Sequence, residues 1–313
     1  MRMTFEQIQA ITKGAIYTFE EEDGYHFRRF TDSQIEAFTA QEEIFHTRCL
    51  GTAGCQLSFH TDSENLFIFI QNGKKFEVWI DGLPTHFFTP DGPRRFPMAL
   101  PKGDKHVVID LPNYTEGVIS KVLIDEGAYV RPHTYDYRFL VLGDSITQGS
   151  QSTRDSNCYA SRLGRYFNAE ILNMGIGGSV MRADTLEAVG FDPDVILIAY
   201  GTNDYTTSAS MEALEQATCD YFDRICTLYP GKRVFYISPL WRADGNMVRK
   251  TGTLDQCRAV QIQQALEHGF THIDGYTLVP HSPDYFNDGY LHPNDIGFSY
   301  YSENLIKFLE NSL

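Results

Sequence analysis

The second half of the chain alternates short apolar runs with longer amphipathic segments. The short runs are typical of strands buried on both faces, and the segments between them have helical periodicity. Regular alternation of strand and helix favours a parallel sheet with right-handed crossovers and helices on both faces. We therefore predict a three-layer α/β/α domain over residues 136–313. The predicted strands are 138–142, 170–173, 194–200, 233–238 and 271–274, and the predicted helices are 157–167, 182–189, 210–229, 254–268 and 295–311.

The first half has a different pattern, in which shorter runs are separated by turn residues. Runs such as 66–70 and 76–80 are apolar or alternate with polar positions, and Asn72-Gly73 and Asp81-Gly82 lie between such runs. Short strands with regular turn signals are typical of a sandwich. We predict β-structure throughout residues 15–130, arranged as an all-β sandwich of jelly-roll type.

Both ends of this β-rich region are predicted to differ from it. A short helix is expected at residues 3–14, where Thr4 and Gln7 occupy capping-box positions. Residues 131–134 are expected to be a linker. The predicted N-terminal domain therefore covers residues 1–132.

Composition narrows the classes of partner. The 313 residues carry a net charge of −15, which argues against nucleic acid or an anionic membrane as the main partner. No run reaches the ~18 apolar residues of a membrane span, and the N-terminus has no signal-like apolar core, so a cytoplasmic location is expected. The six cysteines have no CxxC pair or zinc-ligand spacing, and no metal site is predicted.

Four motifs with chemically active side chains follow predicted strands or precede the last helix. In a parallel sheet the carboxyl ends of the strands share one edge, where ligands bind. Three motifs therefore converge on that edge, and the last helix can return the fourth to it. They are Gly-Asp-Ser-Ile-Thr at 143–147, Asn-Met-Gly-Ile-Gly-Gly at 173–178, Gly-Thr-Asn-Asp at 201–204 and Asn-Asp-Gly-Tyr-Leu-His-Pro-Asn at 287–294.

These residue types fit nucleophilic attack on an ester. A serine hydroxyl such as Ser145 needs a neighbouring base, and a histidine such as His292 has a suitable pKa. Attack on the carbonyl creates an oxyanion, which needs donors already in place. Backbone N–H groups at the serine and at a glycine, together with the uncharged NH2 of Asn203, can supply them. Asp144 and Asp204 are expected to support their loops.

In order and spacing, the four motifs resemble the four blocks of the SGNH (GDSL-type) hydrolase superfamily. The resemblance implies a flavodoxin-like fold with a five-stranded parallel sheet, and ester hydrolysis without a metal or organic cofactor. Carried over by position, it implies Ser145 as nucleophile, His292 as general base and Asn203 as an oxyanion donor. The oxyanion glycine falls on Gly178, five residues after Asn173.

One position departs from the family pattern. The family usually has an aspartate three residues before the histidine, but that position is Gly289 here and Asp288 lies four residues before His292. A local bulge could still bring Asp288 to His292 Nδ1, as the orienting acid of a triad. The alternative is a backbone carbonyl in that role. We predict Asp288.

The two-domain layout resembles carbohydrate esterases of family 2, which remove acetyl groups from plant-polysaccharide fragments. This resemblance implies a serine esterase for small acyl esters, with O-deacetylation of carbohydrate as the expected reaction. In a cytoplasmic enzyme the substrate would be an imported oligosaccharide. Trp241 follows the fourth predicted strand and is expected either to line the acyl or sugar pocket or only to pack between domains.

Other functions remain open. A thioesterase or a lysophospholipase of the same superfamily would use the same residues, and a non-catalytic carbohydrate-binding protein would not need them. A phosphate or nucleotide binder is disfavoured because Asp144 lies in the relevant loop and no Walker A pattern is present. A standard α/β-hydrolase is disfavoured because the chain lacks a Gly-x-Ser-x-Gly elbow. The oligomeric state is not predicted.

Overall fold

A computed structural model describes all residues from 1 to 313. The helices are α1 (Phe5–Ile11), α2 (Asp32–Thr39), α3 (Glu43–Leu50), α4 (Ser145–Gln148), α5 (Tyr159–Tyr166), α6 (Thr202–Thr207), α7 (Met211–Leu228), α8 (Leu254–Glu267) and α9 (Asp295–Glu310). The strands are β1 (Thr12–Lys13), β2 (Tyr17–Glu21), β3 (Gly24–Arg28), β4 (Gln56–Thr61), β5 (Asn65–Asn72), β6 (Phe76–Ile80), β7 (Leu83–Phe88), β8 (Arg94–Ala99), β9 (Lys105–Asp110), β10 (Val118–Ile124), β11 (Arg131–Pro132), β12 (Tyr137–Gly143), β13 (Ala169–Gly175), β14 (Val195–Ala199), β15 (Arg233–Ile237) and β16 (Thr271–Ile273).

The C-terminal half is built on a five-stranded parallel sheet. Its strand order is β13-β12-β14-β15-β16, which confirms the predicted α/β/α fold with its parallel sheet. The central strands are buried on both faces, as their apolar sequences predicted. One face packs against α2, α3, α7 and α8, and the other packs against α5 and α9. The carboxyl ends of β12, β13 and β14 lie side by side.

One predicted helix of this half is wrong. Residues 182–189 contain only a single 3-10 turn, Ala183–Thr185. The carbonyl of Thr185 accepts a hydrogen bond from Gln34 Nε2, and the carbonyl of Leu186 accepts one from Arg224 Nε. These side chains bind carbonyls that a longer helix would need for its own hydrogen bonds.

The N-terminal half contains two antiparallel sheets packed face to face, as predicted for a sandwich. One sheet has the order β1-β4-β9-β6-β7, with β11 also paired to β4, and the other has the order β2-β3-β10-β5-β8. Their inner faces share a core of 22 buried residues. Alternate side chains of each strand enter this core, which explains the alternating pattern in the sequence.

The prediction of uninterrupted β-structure over residues 15–130 is wrong at 32–50. Two helices, α2 and α3, occupy this stretch. Thr31 caps α2 in a capping box with Gln34. The apolar side chains of both helices, among them Phe38 and Phe45, pack into the core of the α/β half. Two helices of eight residues between strands present too few turns for a clear helical period.

The predicted linker and the first helix also differ in detail. Arg131 and Pro132 continue the sandwich by pairing with β4, so only the residues after them connect the two halves. The first helix covers only 5–11, although its predicted capping box of Thr4 and Gln7 is confirmed. The division into domains 1–132 and 136–313 remains a prediction. None of the helices combines the length and apolar character required to cross a membrane.

Candidate active site

Ser145 lies in a tight turn between β12 and α4. The turn begins at Gly143, where a side chain would overlap Thr147 Oγ1 and lie 2.7 Å from the Ala199 carbonyl oxygen. Asp144 caps α4 by accepting a hydrogen bond from the Ile146 N–H at 2.9 Å. Burial raises the pKa of Asp144 to about 7, although the Ile146 hydrogen bond opposes the shift. Asp144 thus has the supporting contacts expected for it.

The structure brings Ser145, His292 and Asp288 into one hydrogen-bonded chain. Ser145 Oγ lies 2.8 Å from His292 Nε2, and His292 Nδ1 lies 2.5 Å from Asp288 Oδ2. The side chain of Ser145 is only slightly open to solvent, with 8% of the residue exposed. A hydroxyl, an imidazole and a carboxylate in this order have the geometry of a serine nucleophile with an oriented base.

The loop before His292 explains how Asp288 reaches the ring despite its unusual spacing. Asp288 Oδ1 accepts hydrogen bonds from the N–H groups of Tyr290, Leu291 and His292 at 3.1, 2.8 and 3.1 Å. Gly289 has a φ of +77°, which opens the turn around the carboxylate. Partial burial opposes ionisation of Asp288, but the hydrogen bonds from Leu291 and His292 outweigh it and hold the pKa below its usual value.

Three donors face the same rim. The N–H groups of Ser145 and Gly178 make no hydrogen bond within the protein. Asn203 Nδ2 donates one hydrogen bond to the Ser179 carbonyl at 3.0 Å, which leaves its second N–H free. Gly178 has a φ of +85°, and a side chain there would lie 2.8 Å from Arg48 Nη1. These groups are suited to hold an oxyanion.

The turn that carries Gly178 is held by side chains from neighbouring elements. Gln148 Oε1 accepts the Gly177 N–H at 2.8 Å, and Asn173 Nδ2 donates to the Thr147 carbonyl at 2.8 Å. Asp204 Oδ1 accepts the Met181 N–H at 3.0 Å. Burial raises the pKa of Asp204 to about 6, and the Met181 hydrogen bond opposes this rise.

Arg29 is a fully buried arginine that the sequence did not identify as part of this region. Its guanidinium donates to the carbonyls of Gly51, Asn173 and Gly175 at 2.6, 2.6 and 3.1 Å. It also donates to the Arg48 carbonyl at 3.1 Å. No carboxylate pairs with it, so backbone dipoles alone satisfy the charge. Arg29 therefore ties the N-terminal half to the turn that carries Gly178.

Two further side chains of the N-terminal half lie at the rim and were also missed. Arg48 of α3 donates to the Gly177 carbonyl, and Tyr114 Oη donates to the Ser145 carbonyl at 3.2 Å. Neither belongs to a recognisable motif. The only feature of the sequence that could have indicated these two residues is that each is a polar side chain in an otherwise apolar or turn-rich stretch.

Residues 141–299, just over half of the chain, match the model of the GDSL-like Lipase/Acylhydrolase family. The chain belongs to this family. It is a carboxylic ester hydrolase, and the predicted superfamily membership is confirmed. No protein with curated annotation matches the chain in sequence.

Solved structures resemble this family member over both halves. Salicylyl-acyltransferase SsfX3 from a tetracycline biosynthetic pathway has a TM-score of 0.80 at 17% identity and covers 96% of this chain and 94% of its own. A Bacteroides ovatus protein described as a GDSL-like lipase has a TM-score of 0.76 at 18% identity, with 97% and 96% covered. A Clostridium thermocellum carbohydrate esterase of family two, in complex with cellohexaose, has a TM-score of 0.66 at 16% identity, with 96% and 98% covered. At these identities the similarity establishes a common fold.

A polar cleft lies beside the Ser145 turn of this GDSL-family hydrolase. Its volume including the open mouth is about 890 Å³, and most of the residues that line it are of polar types, although their carbon atoms form much of the exposed wall. Tyr114 and Ser150 line one side, and Asn287, the residue before Asp288, lines another. The side chains of Asn287 and Gln151 are joined by a hydrogen bond of 2.6 Å. Ser145 and His292 do not themselves line the cleft, which approaches the triad through Tyr114 and Asn287.

Trp241 lies behind the loop that carries Asp288. Its ring stacks on His281 with centroids 5.7 Å apart and contacts Phe286 at 5.5 Å. It also packs at the edge of the core shared with α5 and α9. These contacts support the loop, and a role for Trp241 in substrate binding remains a prediction.

Proposed function

We propose that this protein is a serine esterase in which Ser145 forms an acyl-enzyme, with His292 as general base and Asp288 as the orienting acid. The observation that carries the proposal is the continuous chain from Asp288 Oδ2 through His292 to Ser145 Oγ. The free N–H groups of Ser145 and Gly178 and the Asn203 amide would form the oxyanion hole.

The reaction would proceed in two half-reactions. Ser145 Oγ attacks the ester carbonyl while His292 Nε2 takes its proton, and the ionised Asp288 stabilises the resulting imidazolium. The tetrahedral oxyanion is held by the three donors. Collapse of this intermediate releases the alcohol, which receives the proton from His292. Water, deprotonated by His292, then attacks the acyl-enzyme carbonyl and forms a second tetrahedral intermediate. Its collapse breaks the bond to Ser145 Oγ and releases the carboxylic acid, while His292 returns the proton to Oγ.

The preferred substrate would be a small acyl ester, most simply an acetyl ester, of a carbohydrate. Phe45 and Arg48 stand close to Gly178, at 3.4 and 2.8 Å from the position that a Cβ would occupy there, and an acyl pocket bounded by these side chains would favour a small group. The polar cleft beside Ser145 suits a sugar better than a long alkyl chain. We further propose that the substrate is an oligosaccharide in the cytoplasm, the location expected from the sequence.

A chain-length series tests the reaction and the acyl preference together. We expect kcat/KM for p-nitrophenyl acetate to exceed that for the octanoate at least tenfold, and Ser145→Ala to abolish turnover of both. The control Ser312→Ala should keep full activity. Diethyl p-nitrophenyl phosphate should phosphorylate the wild-type protein once, at Ser145, as measured by peptide mass spectrometry. Equal turnover by Ser145→Ala would contradict the proposal.

A second experiment tests which alcohol or thiol carries the acyl group in the preferred substrate. Acetylated xylo-oligosaccharides, acetylated polymeric xylan, acetyl-coenzyme A and a lysophospholipid would be compared by acid release. We expect the oligosaccharides to be the best substrates. Faster release from the thioester or from the lysophospholipid would replace the carbohydrate proposal with those acyl hydrolases. Faster release from the polymer would contradict a preference for short fragments.

A further inference from the structure

One outer face of the sandwich is unusually rich in polar and aromatic side chains. In β4, β6 and β9 alternate residues enter the sandwich core, and the others face the α/β half. The strand register places Gln56 beside Asp110 and Trp79 beside Val108, so these outward side chains form neighbouring rows.

This face forms one wall of a cleft between the two halves of the molecule. The cleft itself has a volume of about 230 Å³, and the space including its open mouth is about 900 Å³. It is therefore smaller than a typical site for a drug-sized molecule and suits a small ligand. Gln56, Trp79 and Asp110 line the wall on the sandwich side. Ser161 and Arg165 of α5 line the opposite wall.

The cleft is separate from the candidate active site. Along β13 it reaches Ile171, whereas the oxyanion turn follows Gly175, where β13 ends. At about 3.3 Å per residue, the strand between these positions is about 13 Å long. No residue of the Ser145–His292–Asp288 chain lines the cleft.

Several polar groups in the cleft do not make all the hydrogen bonds that they could make. Trp79 Nε1 is buried and makes no hydrogen bond of good geometry, although its interaction with the Asp110 carboxyl group tends to lower the pKa of that group. Asp110 lies nearby, and burial raises its pKa to about 7 against the opposing charge of Arg165. Arg165 stacks over the Trp79 ring at 4.3 Å and donates only one hydrogen bond, to the Ser156 carbonyl. A buried donor without an acceptor is unfavourable unless a ligand or water fills the site.

We propose that this interdomain cleft is a second ligand-binding site, which takes a neutral polyhydroxylated molecule such as a monosaccharide or disaccharide. The walls offer donors and acceptors on opposite sides, as a ring of hydroxyl groups requires. Asp110 and Arg165 place a carboxyl group and a guanidinium on opposite walls, and both groups can hydrogen-bond to hydroxyl groups. The indole adds an apolar surface for the carbon face of a sugar. The proposal does not depend on ester hydrolysis at Ser145.

A metal ion fits the cleft less well, although three histidines lie at its edge. Ring nitrogens of His60, His106 and His133 lie within 4.8 Å of one another. The three rings are nearly parallel, with interplanar angles of 14° to 22°. Lone pairs in stacked rings point along parallel planes and do not converge on one ion. His60 Nε2 and His133 Nδ1 also lie 3.0 Å apart, at hydrogen-bonding distance.

The presence of only two tryptophans allows a direct test. In the Ser145→Ala protein, the two indole N–H signals would be followed by ¹H–¹⁵N NMR and assigned with Trp241→Phe. The probes are D-glucose, D-xylose, N-acetyl-D-glucosamine and cellobiose, each titrated through the millimolar range typical of weak ligands. Inorganic phosphate and zinc chloride are titrated separately.

We expect at least one sugar to shift the Trp79 signal saturably while the Trp241 signal stays in place. Asp110→Ala should raise the dissociation constant at least tenfold, whereas Asp91→Ala, in an exposed loop, should leave it unchanged; retained indole signals check that both variants fold. The proposal is wrong if no sugar gives saturation or if only the Trp241 signal moves. Tighter binding of phosphate would replace it with an anion site. A shift that requires zinc and disappears with EDTA would replace it with a metal site.

Discussion

Asp288 uses its two oxygens for different purposes, which makes Asp288→Asn an informative change. Oδ1 accepts the N–H groups of Tyr290, Leu291 and His292, and Oδ2 accepts His292 Nδ1. Asparagine can keep the Oδ1 hydrogen bonds, but its NH2 group would replace Oδ2. The ring would then present a lone pair at Nδ1 and carry its proton at Nε2. That tautomer cannot accept the proton of Ser145.

The structure separates the expected effects on rate and on stability. The loss of the correct tautomer in a serine triad lowers kcat by about 10⁴, which corresponds to about 5.5 kcal/mol of activation free energy. The three backbone hydrogen bonds to Oδ1 remain, so the free energy of unfolding at neutral pH should fall by less than about 1 kcal/mol. Asp288→Ala would also remove those hydrogen bonds and should destabilise the loop further.

The assay is steady-state hydrolysis of p-nitrophenyl acetate, combined with urea unfolding of the same samples. Asp284→Asn is a matched control, because Asp284 lies in the same loop and its carboxylate interacts with Ser282. We expect the control to retain wild-type kcat. If Asp288→Asn stays within about tenfold of wild type while Ser145→Ala is inactive, a backbone carbonyl orients His292 and the reasoning is refuted.

Three further changes follow from the same contacts. Arg29→Met would remove hydrogen bonds to four carbonyls, of which that of Arg48 keeps Gln148 Nε2 as a donor, and should lower the free energy of unfolding in urea by about 3–5 kcal/mol; a loss below about 1 kcal/mol would be inconsistent with its role. Gly178→Ala should lower kcat by about 10²–10³, because a Cβ would meet Arg48 and disturb an oxyanion donor, whereas Gly177→Ala should have a smaller effect. The pKa of Asp144 is raised to about 7 by burial, so its contribution to stability is present below about pH 4 and is lost as the pH rises through about 7. Asp144→Asn should remove this loss and increase stability at pH 8 by up to about 4 kcal/mol, as measured by urea unfolding at pH 4 and pH 8; equal pH dependence in both proteins would contradict it.

Patterns within a few residues predicted the parts of the fold that depend on local burial. The five strands of the parallel sheet are continuous apolar runs because helices cover both faces, and each observed strand overlaps its predicted range. The four motifs were predicted to share one rim because parallel strands end there. The structure brings Ser145 and His292 together from positions 147 residues apart.

Such local patterns could not predict the contacts between the two halves. Arg29 binds the Asn173 carbonyl 144 residues away, and nothing in the composition around Arg29 indicates a backbone partner. Helices α2 and α3 were missed because their apolar side chains serve the core of a distant sheet. The spacing of Asp288 could be interpreted only after the loop showed three N–H groups converging on one carboxylate oxygen.

The packing of α2 and α3 has a consequence for how this protein can be divided. Their apolar side chains, among them Phe38 and Phe45, share a core with Leu172 and Met174 of β13. A fragment that begins at residue 136 would keep the whole parallel sheet, α7, α8 and every proposed catalytic residue, yet it would expose to water the part of this face that α2 and α3 cover. We therefore expect such a fragment to aggregate. A fragment that also keeps residues 29–50 should be more soluble. We therefore expect the smallest active fragment of this protein to be larger than its α/β unit.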